Sequence, residues 1–480
     1  MRSRTLSSID PIGRAGWCST VLVLLAALVA GCDLSVPEYV RPDLPEKTAW
    51  QDPAAQPQHA SDTIQRDWWH GFGSDYLDQL VDKAINNNID LRVMAARINV
   101  AEAGIDVASA GGKPRVSLGA GVDVTKHTQV PGSTTQYSTA GTVDWELDIW
   151  GKFAAGTDAQ QAEVKATEAD WRAGYLKLVS DVASSFFRIR ELDEQLMRQE
   201  QALMRNSEIL TIHENRYREG LVPRTVLLQQ RAEVKRLRQG KLELERQRET
   251  LENSLATLLG DPAGEHRVPP GRIMESVSLL DVPAGLPSEL LNRRPDIIAA
   301  EYRAKRAVKL VGQARLARLP SLGLSARGGS ASFELSTLLK AWTFGLSPSI
   351  TLPMFDPNIK ARIKVSEAEA RVAEEEYRAV VMRAFEEVEN ALVTLHSRKE
   401  QHAELLARLS DLRDVAQMNR NRLRAGVISQ LELFESERSV LDAEQEVLGN
   451  YHRILVDTVL LYKALGGGWP AEYDVASTKS

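Results

Sequence analysis

Cysteine is almost missing: the 480 residues hold two, Cys18 and Cys32, both near the start. Everything beyond residue 32 therefore lacks a thiol nucleophile, a disulfide and a thiolate metal site. Long apolar runs are scarce as well. After residues 21–29 no stretch of about 18 apolar residues occurs, so the rest of the chain offers no membrane-spanning helix and can cross a bilayer only as a closed β-barrel. Proline is absent between Pro131 and Pro223 and again between Pro357 and Pro470, two intervals that leave room for very long helices. No HExxH, CxxC or GxSxG motif occurs. Gly111-Gly112-Lys113 looks like the end of a phosphate loop, but Pro114 stands where a magnesium-binding Ser or Thr is needed. His396 and His402, six apart, do not share a helix face as metal ligands would. No enzyme chemistry is expected.

What is present at the start reads as an export signal. Arg2, Arg4 and Arg14 precede the apolar run, which closes in Val29-Ala30-Gly31-Cys32. Small residues before a cysteine suit lipoprotein processing, with diacylglycerol on the Cys32 thiol as the one covalent group and no other cofactor; cleavage as an ordinary secretory signal is the alternative. Losing residues 1–31 removes three arginines and Asp10, which moves the net charge from −6 to −8. A mildly acidic body with scattered basic residues argues against nucleic acid as a partner.

The strongest organisational signal is a duplication. Trp171 and Tyr377, Val182 and Val388, Gly220 and Gly426, and Gly260 and Gly466 all pair at an offset of 206. Their order points to two copies of one unit rather than chance. Each copy reads as helix, two strands, a very long helix, a turn and a returning helix. The expected divisions are a signal (1–31), a lipidated extended leader (32–66), repeat 1 (67–262), a connector (263–285), repeat 2 (286–468) and a tail (469–480). Repeat 1 has strands near 115–126 and 137–149 and a helix hairpin over 153–260. Repeat 2 has strands near 321–330 and 342–354 and a hairpin over 358–466. A helix over 153–218 would run about 100 Å at about 1.5 Å per residue, so it needs partners along its length. In the second long helix Ala373, Tyr377, Ala384, Val388 and Leu395 follow an 11-residue repeat, whereas Leu405, Leu409, Leu412, Ala416 and Leu423 follow a heptad. The first pattern favours nearly straight packing in a cylinder wall, the second a left-handed coiled coil.

The strands alternate. Val116, Leu118, Ala120, Val122 and Val124 oppose Ser117, Gly119, Gly121, Asp123 and Thr125, and Phe344, Leu346 and Ile350 oppose Gly345, Ser347 and Ser349. Such strands suit a barrel wall between lipid and water, or else a soluble sandwich edge. Four strands cannot close a membrane barrel, since these start at about 8. Spanning strands thus require several chains: a dimer or a trimer.

At this point the residues resemble a known family, the TolC-like outer-membrane efflux factors of the NodT/OprM lipoprotein branch. The stretches that carry the likeness are Pro37-Glu38-Tyr39-Val40-Arg41-Pro42, Asp67-Trp68-Trp69-His70-Gly71-Phe72, Trp145-Glu146-Leu147-Asp148-Ile149-Trp150-Gly151-Lys152 and, most specific, Leu290-Leu291-Asn292-Arg293-Arg294-Pro295-Asp296-Ile297. The resemblance implies a mainly α fold with a transmembrane β-barrel portion. Long antiparallel helices would form a periplasmic α-barrel, and four strands per chain would contribute to a 12-stranded barrel in a homotrimer. It further implies an exit duct of a tripartite efflux system in the outer membrane, in contact with its lipid. The partners implied are a periplasmic adaptor and an inner-membrane pump, often of the proton-driven RND type. A type I protein-secretion duct is the nearest rival, and a periplasmic coiled-coil adaptor or scaffold lipoprotein a rival of another class. Two departures stand out. Phe355-Asp356-Pro357-Asn358 replaces the glycine pair usual in relatives, and Asp33 after Cys32 resembles an inner-membrane retention signal of some bacteria.

The resemblance also assigns candidate sites. Gly220-Leu221 and Gly426-Val427 look like the periplasmic tip motif that meets the adaptor; a plain helix-ending role for the glycines is the ordinary reading. Leu431, Glu432 and Glu435, one and two turns past the second tip, match the place of the family's closed entrance, with Arg422 as a tether. The first copy has Thr225, Val226 and Gln229 there, without acids. A solvated acidic face is the alternative.

Overall fold

The computed structural model describes residues 37–45, 47–51, 67–126, 133–280, 282, 287 and 290–469. The expected signal, Cys32, Asp33, much of the leader and nearly all of the tail lie outside the described residues. The elements in chain order are a 3-10 turn Trp68–Phe72, α1 (Asp75–Asn87), α2 (Ile89–Ala110), β1 (Arg115–Lys126), β2 (Ser133–Leu147), α3 (Lys152–Arg218) and α4 (Arg224–Leu258). After the connector come α5 (Pro295–Leu316), β3 (Ser321–Ser332), β4 (Thr343–Thr351), α6 (Pro357–Arg424) and α7 (Gln430–Ala464). The second long helices of the two copies are both 35 residues, and the first are 67 and 68.

The chain divides into two compact units. One, built mainly from Ile105–Gln160 and Lys305–Arg371, carries a single antiparallel meander in the order β1-β2-β3-β4. Its register decides what the sheet can do. Residues directly opposite in antiparallel strands share a face. Val116 faces Val143, which faces Ala326, which faces Leu346; Trp145 faces Leu324, and Leu322 faces Ile350. The apolar alternation of each strand is thus carried across all four. The other face joins Ser117 to Thr142, Asp144 to Ser325 and Gly323 to Ser349. There the Ser117 and Thr142 hydroxyls lie 2.6 Å apart, and Ser325 donates to Asp144 at 2.7 Å. Leu118, Phe344, Leu346 and Ile350 remain exposed.

The strand ends differ from the alternation for local reasons. β2 starts at Ser133, because its polar first residues still pair with the end of β1. It stops at Leu147, where the Asp148 carboxylate turns to accept the Ala154 N–H at the start of α3. β4 ends at Thr351, and Asp356 accepts the Asn358 N–H. Pro357 then sits at the first helical position, where a missing N–H costs nothing. The departure at 355–358 is therefore a direct entry into the helix.

The other unit, Arg41–Gly104 with Gln161–Ala304 and Val372–Ser480, is helical. Its larger core gathers Trp68, Trp69, Phe72, Phe186, Phe187 and Leu255, with Trp68 stacked on Tyr462 at 4.8 Å. A second core holds Tyr377, Val381, Ala384, Val388, Leu392 and Leu395. Tyr377 and Val388, Val381 and Leu392, and Ala384 and Leu395 are each 11 apart, the spacing of a helix that packs without left-handed winding. Leu409, Ala443 and Val447 form a smaller cluster nearer the hairpin end. The leader from Arg41 on belongs to this unit: Trp50 is buried beside Phe385, and Arg41 pairs with Glu301 at 2.6 Å. Arg294, from the most specific sequence stretch, is buried. It holds Asp296 through two N–H groups, Glu387 at 2.7 Å and the Ala464 carbonyl at 2.9 Å, which fastens α5 to the end of the second hairpin.

Candidate functional site: the hairpin tips and entrance

Both hairpins end their first helix by the same device. Gly220 and Gly426 have φ of 71° and 73°, a left-handed conformation that only glycine adopts without strain. The Gly220 N–H donates to the Tyr217 carbonyl and the Leu221 N–H to Arg216; Gly426 and Val427 donate to Leu423 and Arg422 in the same way. These paired bonds satisfy carbonyls the helix end would leave open. A Cβ at either glycine would meet nothing within 4 Å, so backbone geometry rather than crowding explains them. The residue after each glycine is left outside: Leu221 is 68% and Val427 65% exposed.

The two returning helices start differently. Pro223 precedes α4 and offers no side-chain cap. Its counterpart Ser429 forms a capping box with Glu432. The Ser429 hydroxyl accepts the Glu432 N–H at 3.4 Å, while Glu432 Oε1 accepts the Ser429 N–H at 3.2 Å. Glu432 thus serves its own helix end as well as presenting charge, a role legible in the Ser-x-x-Glu spacing at 429–432. Leu431, Glu432 and Glu435 are exposed on α7. Arg422 is exposed too, and among the described residues it forms no ion pair. The entrance candidates are thus neighbours on one hairpin, but the chain alone does not bring Arg422 onto either glutamate. Among the described residues no group of three or more His, Cys, Asp or Glu could hold a metal, and no helix is long and apolar enough to cross a membrane.

Behind the tips the first hairpin carries a buried ionic cluster that sequence periodicity does not reveal. Asp193 accepts Arg248 Nε at 2.5 Å and the Gly271 N–H at 3.1 Å. Glu252 accepts the Val268 N–H at 2.8 Å and Arg267 at 2.7 Å. Arg190 donates to the Pro269 carbonyl. Burial pushes the Asp193 carboxyl up and the Arg190 guanidinium down, and their mutual attraction offsets part of each shift. These bonds fasten the connector to the first copy.

Comparison with known proteins gives the same family twice. The model of the outer membrane efflux protein family matches residues 80–261 and 286–467, segments whose starts and ends both differ by the repeat offset. The probable efflux pump outer membrane protein TtgC of Pseudomonas putida is 31% identical over 475 residues, with 93% of this chain and 95% of TtgC covered. The cation efflux system protein CusC of Escherichia coli is 29% identical over 461 residues, with 94% and 99% covered. Among solved structures, the open state of the Neisseria gonorrhoeae MtrE outer membrane channel superposes with a TM-score of 0.79 at 26% identity, covering 90% of this chain and 98% of that one. The open four-stranded sheet is that of a fold which closes into a barrel when three copies meet, and membership of a channel family sets enzymatic activity aside. With both halves matched and the apolar residues of all four strands gathered on one sheet face, the chain belongs to the outer membrane efflux protein family, as the outer-membrane exit duct of a tripartite efflux system with a helical extension into the periplasm.

Proposed function

We propose that three copies of this chain share one barrel, that a periplasmic adaptor docks on the hairpin tips, and that an inner-membrane pump of the proton-driven RND type supplies the energy. The observation that carries this reading is the sheet. Its register brings the apolar residues of all four strands onto one face, while the outer edges of β1 and β4 have no strand partner among the described residues. Open edges cannot face lipid, so strands of this kind span a bilayer only when neighbouring chains pair with them. Native mass spectrometry of the detergent-solubilised protein should give a trimer; a stable monomer in lipid would contradict the shared barrel.

The finer assignments follow the same logic. Leu221 and Val427 are useful exposed only if a partner buries them, and Gly220 and Gly426 hold them out. Leu221→Ser with Val427→Ser should weaken adaptor crosslinking without disturbing assembly. Leu431, Glu432 and Glu435 line the entrance, with Arg422 tethering across a chain boundary rather than within one. Diacylglycerol on Cys32 anchors the mature chain, so Cys32→Ser should abolish fatty-acid labelling while barrel insertion persists.

A further inference from the structure

We propose that the seam between the two hairpins is a binding site for a compact oxyanion carrying two negative charges. A cavity of about 310 Å³ lies among α3, α4, α6 and α7 and is lined by six arginines: Arg198, Arg205, Arg236, Arg413, Arg420 and Arg438. Four of them have carboxylate partners. Arg198 donates to Glu194 at 2.9 Å, Arg236 holds Glu233 through two N–H groups, Arg413 reaches Glu444 at 2.6 Å and Arg420 reaches Glu437 at 3.1 Å. Glu444 is also shared with Arg198, at 3.1 Å. Asp442 acts on Arg236 only through its field.

Arg205 and Arg438 are left over. Arg205 donates only to the Gln201 carbonyl at 3.4 Å, and neither has a carboxylate partner among the described residues. One sits on α3 and the other on α7, so they come from different hairpins. The buried Nε of Arg198 also lacks an acceptor. Two exposed guanidiniums without a carboxylate partner and a spare buried donor around one cavity match a dianion, which arginine's planar fork binds through paired N–H groups.

The cluster is not a repeated surface pattern. At the offset of 206 the six arginines correspond to Glu404, Asp411, Asp442, Ser207, Glu214 and Ala232, none of them basic. The six basic positions are therefore not a feature the two copies share.

Isothermal titration of the full, detergent-solubilised protein with inorganic phosphate tests this at mildly alkaline pH and matched ionic strength. The expected result is saturable binding of one phosphate per chain, absent with chloride. Arg205→Gln with Arg438→Gln should weaken it by about tenfold or more, a change of about 1.4 kcal/mol. Arg231→Gln, which alters an exposed arginine paired with Glu214 outside the cavity lining, should leave it unchanged. Arg205→Lys with Arg438→Lys should keep part of the affinity and serves as the variant with charge retained. No saturable binding, or equal binding by the Gln pair and the parent, would overturn the proposal.

Discussion

The two hairpins share a backbone plan and little of their chemistry. Their lengths agree to one residue, and both first helices stop on a left-handed glycine with the same pair of hydrogen bonds. Where the first copy pairs half-buried Arg248 with buried Glu252, the second has Ile454 and Thr458, both buried, with the Thr458 hydroxyl closing on the Ile454 carbonyl at 2.7 Å. Asp193 at the centre of the first cluster corresponds to exposed Lys399. At the tips the asymmetry reverses: Pro223 and Val226 of the first copy stand where Ser429 and Glu432 of the second build a capping box. Duplication has kept what sets backbone direction and released what sets charge. One hairpin became the anchor of the connector, and the other carries the acids.

The largest expected effect breaks the anchor. Asp193→Ala leaves buried Arg190 without its carboxylate and half-buried Arg248 with Glu252 as its one remaining carboxylate, a loss of about 3 kcal/mol for a buried ion network. Lys399→Ala, at the corresponding surface position, should cost about 0.5 kcal/mol or less. Hydrogen exchange over residues 185–277 reads the difference, and equal effects would mean that the two hairpins are not specialised in this way.

A smaller effect depends on pH. Burial, with Arg188 and Arg453 nearby, holds His452 down to about 4. Glu191 stands 3.2 Å away, but Arg188 and Gln195 already claim that carboxylate. A histidine depressed on folding contributes stability that is complete above the ordinary value of 6.5 and is lost as pH falls toward about 4. At about 1.4 kcal/mol per pH unit this reaches roughly 3 kcal/mol. Glu191, pushed up by its burial, works in the opposite direction, so the comparison is with His452→Gln. That variant should flatten the decline between about pH 6.5 and 4 in denaturant midpoints. An unchanged slope would remove His452 from the account. Arg246, its exposed counterpart in the first copy, should show no such dependence when replaced.

Much of the plan was legible in the sequence. The offset glycines marked the hairpin ends, and period-two alternation marked the sheet faces, because backbone geometry forces both patterns. The alternation did not reveal which strands pair; that β2 joins β3 across the two copies is a tertiary choice. The ionic cluster was hidden for another reason. Asp193, Arg248 and Gly271 are tens of residues apart, and buried charges leave no periodic trace. Arg294 stood in the most specific stretch, yet its role as a clamp needed the Ala464 carbonyl, 170 residues away. At the second tip the Ser-x-x-Glu spacing at 429–432 was a cap signal that the repeat comparison passed over, whereas the proposed ring of carboxylates requires three chains.

A still smaller effect concerns that cap. Ser429→Ala should cost about 1 kcal/mol, seen as faster hydrogen exchange in the first turn of α7. The start of α4, with Pro223 and no side-chain cap, should be unaffected.

Glu432 and Glu435 can be tested as charges without disturbing the fold, because glutamine still serves a capping box. Rings of carboxylates in a narrow entrance concentrate cations and bind multivalent ones. In planar-bilayer recordings at neutral pH, trivalent cations added from the side of the helices should block the parent channel. Glu432→Gln with Glu435→Gln should remove that block and leave assembly intact. Block of the double variant at the same concentration as the parent would show that these two glutamates do not line the pore.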